Sequence, residues 1–118
     1  MTYLLDVNVL IALIDPLHIE HNRAHDWFDA IGRHSWATSP MTENRALRVL
    51  SHPSYSNSPG SPPVIAQMLQ EFCTLSGHVF WPDDVSLLDP RRVDTSRLLA
   101  TTQITDSYLL SLAVAHEG

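Results

Sequence analysis

Tyr3 to Ile14 is an apolar run broken by two polar residues, Asp6 and Asn8, and no other stretch restricts the possible fold as tightly. Tyr3-Leu4-Leu5 starts a buried strand at the N-terminus, while Val7, Val9, Leu10 and Ile11 close around the polar pair. Polar groups buried this deeply need partners or a ligand. In a strand of period two, Asp6 and Asn8 point to the same face. If the strand ends near Val7, they sit instead at its C-terminal mouth, where open parallel sheets place their binding crevices. A carboxylate held there suits a hard cation such as Mg²⁺ or Mn²⁺, which prefers oxygen ligands. The competing role is structural: Asp6 caps a helix starting near Val9, with Asn8 in the turn. The two roles are compatible.

Downstream, short strands alternate with helical patterns. A helix from Val9 stops at Asp15-Pro16, and a second runs from Leu17 to Ile31 with Ile19, Ala24, Trp27 and Phe28 in its apolar stripe and Gly32 as its C-cap. His18, His21 and His25 on that helix have the spacing of a metal pair, but no fourth ligand lies nearby and a polar helix surface is the stronger reading. His34 to Thr38 forms the second strand. Ser39 then caps a helix with Pro40 at its first position, and Glu43 lies in its opening turns, followed by Arg45 and Arg48. Ser51 to Pro63 holds four prolines and five serines and reads as a loop. A helix over Pro63–Leu75, closed by Gly77, leads to a third strand at His78–Trp81. Asp83 and Asp84 read as turn or helix-starting residues, Val85–Leu88 as helical or extended, and Leu98–Thr102 as ambiguous. Thr105 caps the last helix, with Asp106 at its first position. This alternation argues for a single α/β domain over residues 1–118, with helices packed on a parallel sheet.

Charge limits the partners. Thirteen acidic residues face seven arginines and no lysine, for a formal charge of -6, so any nucleic-acid contact rests on local arginines, metal ions or a partner's charge. Arg45, Arg48, Arg91 and Arg92 are the candidates, and Arg91-Arg92 is the only adjacent basic pair, although an ordinary solvated turn is the stronger reading of that pair. The single cysteine, Cys73, allows no internal disulfide, fits a reducing cytoplasm and reads as a core thiol. No basic segment precedes the first strand, and no apolar run is long enough to span a bilayer.

Asp6, Glu43 and Asp106 each sit where a strand hands over to a helix or a helix begins. In an open α/β sheet such junctions converge on one edge. Three carboxylates meeting there repel one another unless a divalent cation neutralises them. Hydrolysis of a phosphodiester is the chemistry that uses such a cluster. A receiver-like or nucleotide-binding module without hydrolysis is the rival.

Three segments carry a resemblance. Leu5-Asp6-Val7-Asn8-Val9-Leu10-Ile11, Thr38-Ser39-Pro40-Met41-Thr42-Glu43-Asn44-Arg45 and Ile104-Thr105-Asp106-Ser107-Tyr108-Leu109-Leu110-Ser111-Leu112-Ala113 resemble the motifs of PIN domains, specifically VapC-type toxins of VapBC toxin–antitoxin pairs. The resemblance covers essentially the whole chain. It implies a three-layer α/β/α fold and a Mg²⁺- or Mn²⁺-dependent endoribonuclease with Asp6, Glu43 and Asp106 as metal-binding acids. Asn8 and Thr105 would support the site, and Ser39 would hold the nearby backbone. It also implies an RNA substrate, a homodimer and silencing by a cognate VapB-like antitoxin. One departure stands out: the family's next strand, with its fourth acid, has no counterpart before Gly118. If the chain does end there, the expectation is a marginally stable, weak or inactive nuclease with an open sheet edge. Its acidic pocket would then serve as a binding module for a basic antitoxin.

Overall fold

The computed structural model describes residues 1–55, 60–86, 88–91 and 103–116, with backbone alone for 103–107. Its elements alternate as expected: β1 (Tyr3–Leu4), α1 (Val7–Ile14), α2 (His21–Ala30), β2 (Trp36–Thr38), α3 (Pro40–Leu50), α4 (Pro62–Phe72), β3 (His78–Phe80) and α5 (Gln103–Ala115). The strands form a parallel sheet in the order β1-β2-β3, with Tyr3 beside Trp36 and Trp36 beside His78. Helices flank the sheet, which is the α/β arrangement that the strand–helix alternation predicts. A parallel sheet covered by helices buries its central strand on both faces, and Trp36, Ala37 and Thr38 are all wholly buried.

Apolar periodicity explains where the core sits. Leu10, Leu13 and Ile14 of α1 meet Ala46 and Leu50 of α3, with Ile65 and Leu69 of α4 beyond them. Trp36 anchors an aromatic group whose rings include Phe28 at 5.4 Å, Phe72 at 4.9 Å and His78 at 4.6 Å. Gly77, with φ at +89°, turns the chain into β3, and a Cβ there would collide with the Arg33 carbonyl oxygen. Its own carbonyl takes the Trp36 amide at 2.9 Å, which sets the β2–β3 register from the first residue.

Several boundaries differ from the sequence reading. Helix α1 begins at Val7, not Val9, so Asn8 lies in its first turn and is exposed. Helix α2 begins at His21, not Leu17, because Asp15 gathers the preceding turn: its Oδ1 takes the Leu17 amide at 2.9 Å and its carbonyl the His18 amide at 3.1 Å. Ile19 is consequently 93% exposed rather than part of the stripe. Gly32 does not cap α2 in a left-handed conformation. It opens a short 3₁₀ turn, and a Cβ there would lie 2.6 Å from the Trp27 ring, so packing explains the glycine. Helix α5 starts at Gln103, which places Thr105 inside the helix instead of at its cap. Val85 and Ser86 belong to no helix or strand. Leu98–Thr102 and part of the Ser51–Pro63 loop lie outside the described residues.

The histidines of α2 each turn one ring nitrogen to a backbone carbonyl of α1. His21 Nδ1 lies 2.7 Å from the Ala12 carbonyl and His25 Nε2 2.9 Å from that of Leu13, which satisfies carbonyls at the C-terminal end of α1. The same helix end carries Asp15, wholly buried, whose Oδ2 accepts the Tyr55 hydroxyl at 2.5 Å. Tyr55→Phe should cost about 1–3 kcal/mol in urea unfolding at neutral pH, the usual cost of stranding a buried acceptor. Burial, then the hydrogen bond and charge of Asp15, push the Tyr55 hydroxyl up from 10.0 to about 12. The folded value lies above the unfolded one, so the contribution is full below pH 10.0 and is lost as pH rises through about 12. The stability gap between wild type and Tyr55→Phe should therefore narrow across that window. A gap that does not change with pH would rule out this account.

Candidate active site

The carboxyl edge of the sheet gathers the polar residues. At the end of β2 the chain passes through Ser39 into α3, whose start is closed by a reciprocal pair of caps. The Thr42 amide donates to Ser39 Oγ at 3.4 Å, and the Ser39 amide donates to Thr42 Oγ1 at 2.9 Å. The remaining amide of that turn, Met41 N–H, donates to Asp83 Oδ2 at 2.9 Å, so the segment after β3 is fastened to the start of α3. With the amides of its turn satisfied by others, Glu43 is free to project into the edge.

There it meets Thr38. The wholly buried Thr38 hydroxyl donates to Glu43 Oε2 at 2.6 Å and lies 2.8 Å from His78 Nε2. A hydroxyl has one proton. With that proton given to Glu43, His78 must donate from Nε2. Cys73, at the C-cap of α4, completes the group: ligating atoms of Glu43, Cys73 and His78 all lie within 4.8 Å of one another. Burial pushes the Cys73 thiol above its usual range and the Glu43 charge pushes the same way, partly opposed by a hydrogen bond with Thr38. Burial lowers the His78 imidazole, against the pull of Glu43. Beneath them, Trp36 Nε1 is a buried donor without a hydrogen-bond partner among the described residues, and its ring packs against His78.

Asp6 occupies the N-cap position of α1 in an extended conformation, yet its side chain makes no capping bond. The capping role is thus absent, and the carboxylate has no hydrogen-bond partner among the described residues. It lines a cleft of about 330 Å³ together with Leu109, Leu110 and Ala113 of α5. Asp106 is the fourth residue of that helix, and its side chain, like that of Thr105, lies outside the described residues. Helix α5 is tied to the sheet at its other end, where His116 stacks on Trp81 at 5.1 Å and lies 2.8 Å from Asp84. Tyr108 is pushed up to about 12 by burial and by its hydrogen bond to Asp83. Asp83 and Asp84 therefore start no helix; they link α3 and α5 to the end of β3.

The arginines divide. Arg45 and Arg48 are exposed and line a groove of about 970 Å³ along α3 with Met41, Asn44 and His52. They sit on the side of the helix away from Glu43, as their spacing dictates, and pair with no carboxylate among the described residues. Arg91 is held by Asp89 through two hydrogen bonds of 3.1 Å. Arg92 lies outside the described residues. Sequence reasoning missed Thr38, Cys73 and His78. Cys73 is half-buried beside Glu43 and His78, not in the core, because α4 ends there and turns toward β3. The available signal was topological: residues at the C-terminal end of a helix and the start of the next parallel strand were treated as packing alone.

No protein-family model matches the chain. Among known proteins, it is 44% identical over all 118 residues to Ribonuclease VapC44 of Mycobacterium tuberculosis, covering 82% of that protein. It is 39% identical over its full length to Ribonuclease VapC39 of the same organism, covering 85% of it, and 39% identical to Ribonuclease VapC29, covering 82%.

The cluster makes its own prediction. As the only cysteine, Cys73 can be followed by the pH dependence of alkylation, whose midpoint should lie above the ordinary 9.0. Glu43→Gln removes a negative charge that disfavours the thiolate, so the midpoint should fall. No change on substitution would show that Glu43 does not act on the thiol.

Proposed function

The chain belongs to the VapC family of PIN-domain proteins, and from that premise we propose that it is a divalent-metal-dependent endoribonuclease toxin. Full-length similarity to proteins named ribonucleases is the observation that carries this reading. Asp6, Glu43 and Asp106 would hold Mg²⁺ or Mn²⁺. Two observations support the fit: the Asp6 carboxylate is not spent on capping, and Glu43 is aimed into the sheet edge by Thr38. A divalent cation bound there would supply an activated water and offset charge on the phosphate undergoing hydrolysis.

The protein's own part is positioning. Ser39 and Thr42 fix the turn that carries Glu43, and Thr38 fixes its carboxylate. Asn8, at the exposed start of α1, and Thr105, beside Asp106 in sequence, would support the acids. Arg45 and Arg48 supply phosphate contacts along the α3 groove, where positive charge offsets a net-acidic chain. Arg91 and Arg92 are secondary candidates, since Arg91 already serves Asp89. The regulatory partner is a VapB-like antitoxin whose basic segment complements the acidic edge, and the active form is a homodimer in the cytoplasm. No helix among the described residues is long and apolar enough to cross a membrane.

RNA cleavage in Mg²⁺ or Mn²⁺, with and without EDTA, tests the proposal. Asp6→Asn and Glu43→Gln should each lose at least about 100-fold in rate, more than the 10–100-fold typical of a residue that only orients a ligand. Arg45→Ala/Arg48→Ala should bind RNA more weakly with a shallower salt dependence. EDTA-insensitive cleavage would overturn the metal-dependent reading. Antitoxin binding without any cleavage would identify a binding module instead.

A further inference from the structure

We propose that Glu43, Cys73 and His78 form a site for Zn²⁺-class cations, with a donor set of its own that shares only Glu43 with the all-oxygen Mg²⁺ site. The ligands come from three elements whose backbones are independently fixed. Glu43 stands in the capped first turn of α3, Cys73 at the end of α4, where its amide still bonds Leu69 at 3.0 Å, and His78 at the first paired position of β3. Their ligating atoms already lie within 4.8 Å of one another. A tetrahedral Zn²⁺ with bonds of about 2.0–2.3 Å needs separations of roughly 3.3–3.7 Å, which side-chain torsions of these half-buried residues can supply. Thr38 pre-aligns the carboxylate and the imidazole, the outer-partner role that metal sites use to orient their ligands.

The chemistry of the donors decides the class of ion. One sulfur, one nitrogen and one oxygen make a poor set for Mg²⁺, which demands hard oxygen ligands, and a good one for Zn²⁺. Three protein ligands leave a fourth position open. Because Glu43 belongs to both sets, Zn²⁺ at this site withdraws a carboxylate from the Mg²⁺ site. Inhibition of RNA cleavage by Zn²⁺ follows, and this last consequence alone rests on the nuclease reading.

Binding is tested without RNA. The chain has one cysteine, so every thiol signal reports on Cys73. Co²⁺ added to the purified chain should give a near-ultraviolet thiolate-to-cobalt charge-transfer band that Zn²⁺ removes. Stoichiometric Zn²⁺ should slow iodoacetamide alkylation at least about tenfold, while Mg²⁺ leaves it unchanged. His78→Gln and Glu43→Gln should each weaken Zn²⁺ binding by about 10-fold or more, with melting curves to confirm folding. Absence of the cobalt band, or alkylation indifferent to Zn²⁺, overturns the site using the wild-type chain alone. A band that survives unchanged in folded His78→Gln and Glu43→Gln shows a thiol binding metal by itself and also overturns it. If Zn²⁺ binds as stated but Mg²⁺ supports no RNA cleavage, the site stands and the nuclease reading falls. If Mg²⁺ supports cleavage but Zn²⁺ has no effect on Cys73, the site falls and the nuclease reading stands.

Discussion

Thr38 ends the central strand with one hydroxyl proton to give, and the carboxyl edge of the sheet is arranged around where that proton goes. Its backbone is equally committed, since its carbonyl accepts the Trp81 amide at 2.9 Å. A wholly buried hydroxyl between a carboxylate and an imidazole cannot rearrange without leaving one of them short. Glu43 and His78 are therefore held by a residue with almost no freedom of its own. Cys73 stands beside this pair at the end of α4.

Much of the remaining polar inventory ties elements together. His21 and His25 serve carbonyls of α1, Asp15 gathers the turn between α1 and α2, and Asp83 joins α3 to α5. Each of these side chains satisfies groups that a helix end or turn would otherwise leave unpaired. Such use of acids and histidines as structural ties separates them from carboxylates that are not spent on a helix end or turn. Asp6 belongs with the latter: it stands at a helix start and does not cap it.

The sequence carried the architecture because apolar periodicity and turn chemistry are local. The Ser39-Pro40 start of α3 and the parallel strands at Tyr3, Trp36 and His78 could be read directly. Boundaries failed where one side chain reorganised a turn, as Asp15 does before α2, or where a ring demanded a glycine, as Trp27 does at Gly32. The site was half legible. Glu43 could be placed because its motif and its helix start lie together. Cys73 and His78 could not, because nothing in their local pattern says that α4 and β3 deliver them to the same hydroxyl. That information is tertiary, set by the β2–β3 register.

The two parallel pairings also have a consequence in time. Each joins strands separated by a full crossover, Tyr3 to Trp36 and then Trp36 to His78, and contacts of such long sequence span are slow to close. Synthesis delivers the chain from its N-terminus at about 5–20 residues per second. While β3 is still to be made, Glu43 and Thr38 exist but lack His78, and α3 lacks the Asp83 that fastens its first turn. A nascent chain therefore emerges as a set of unconnected donors. The edge becomes one chemical object only after the second crossover has closed.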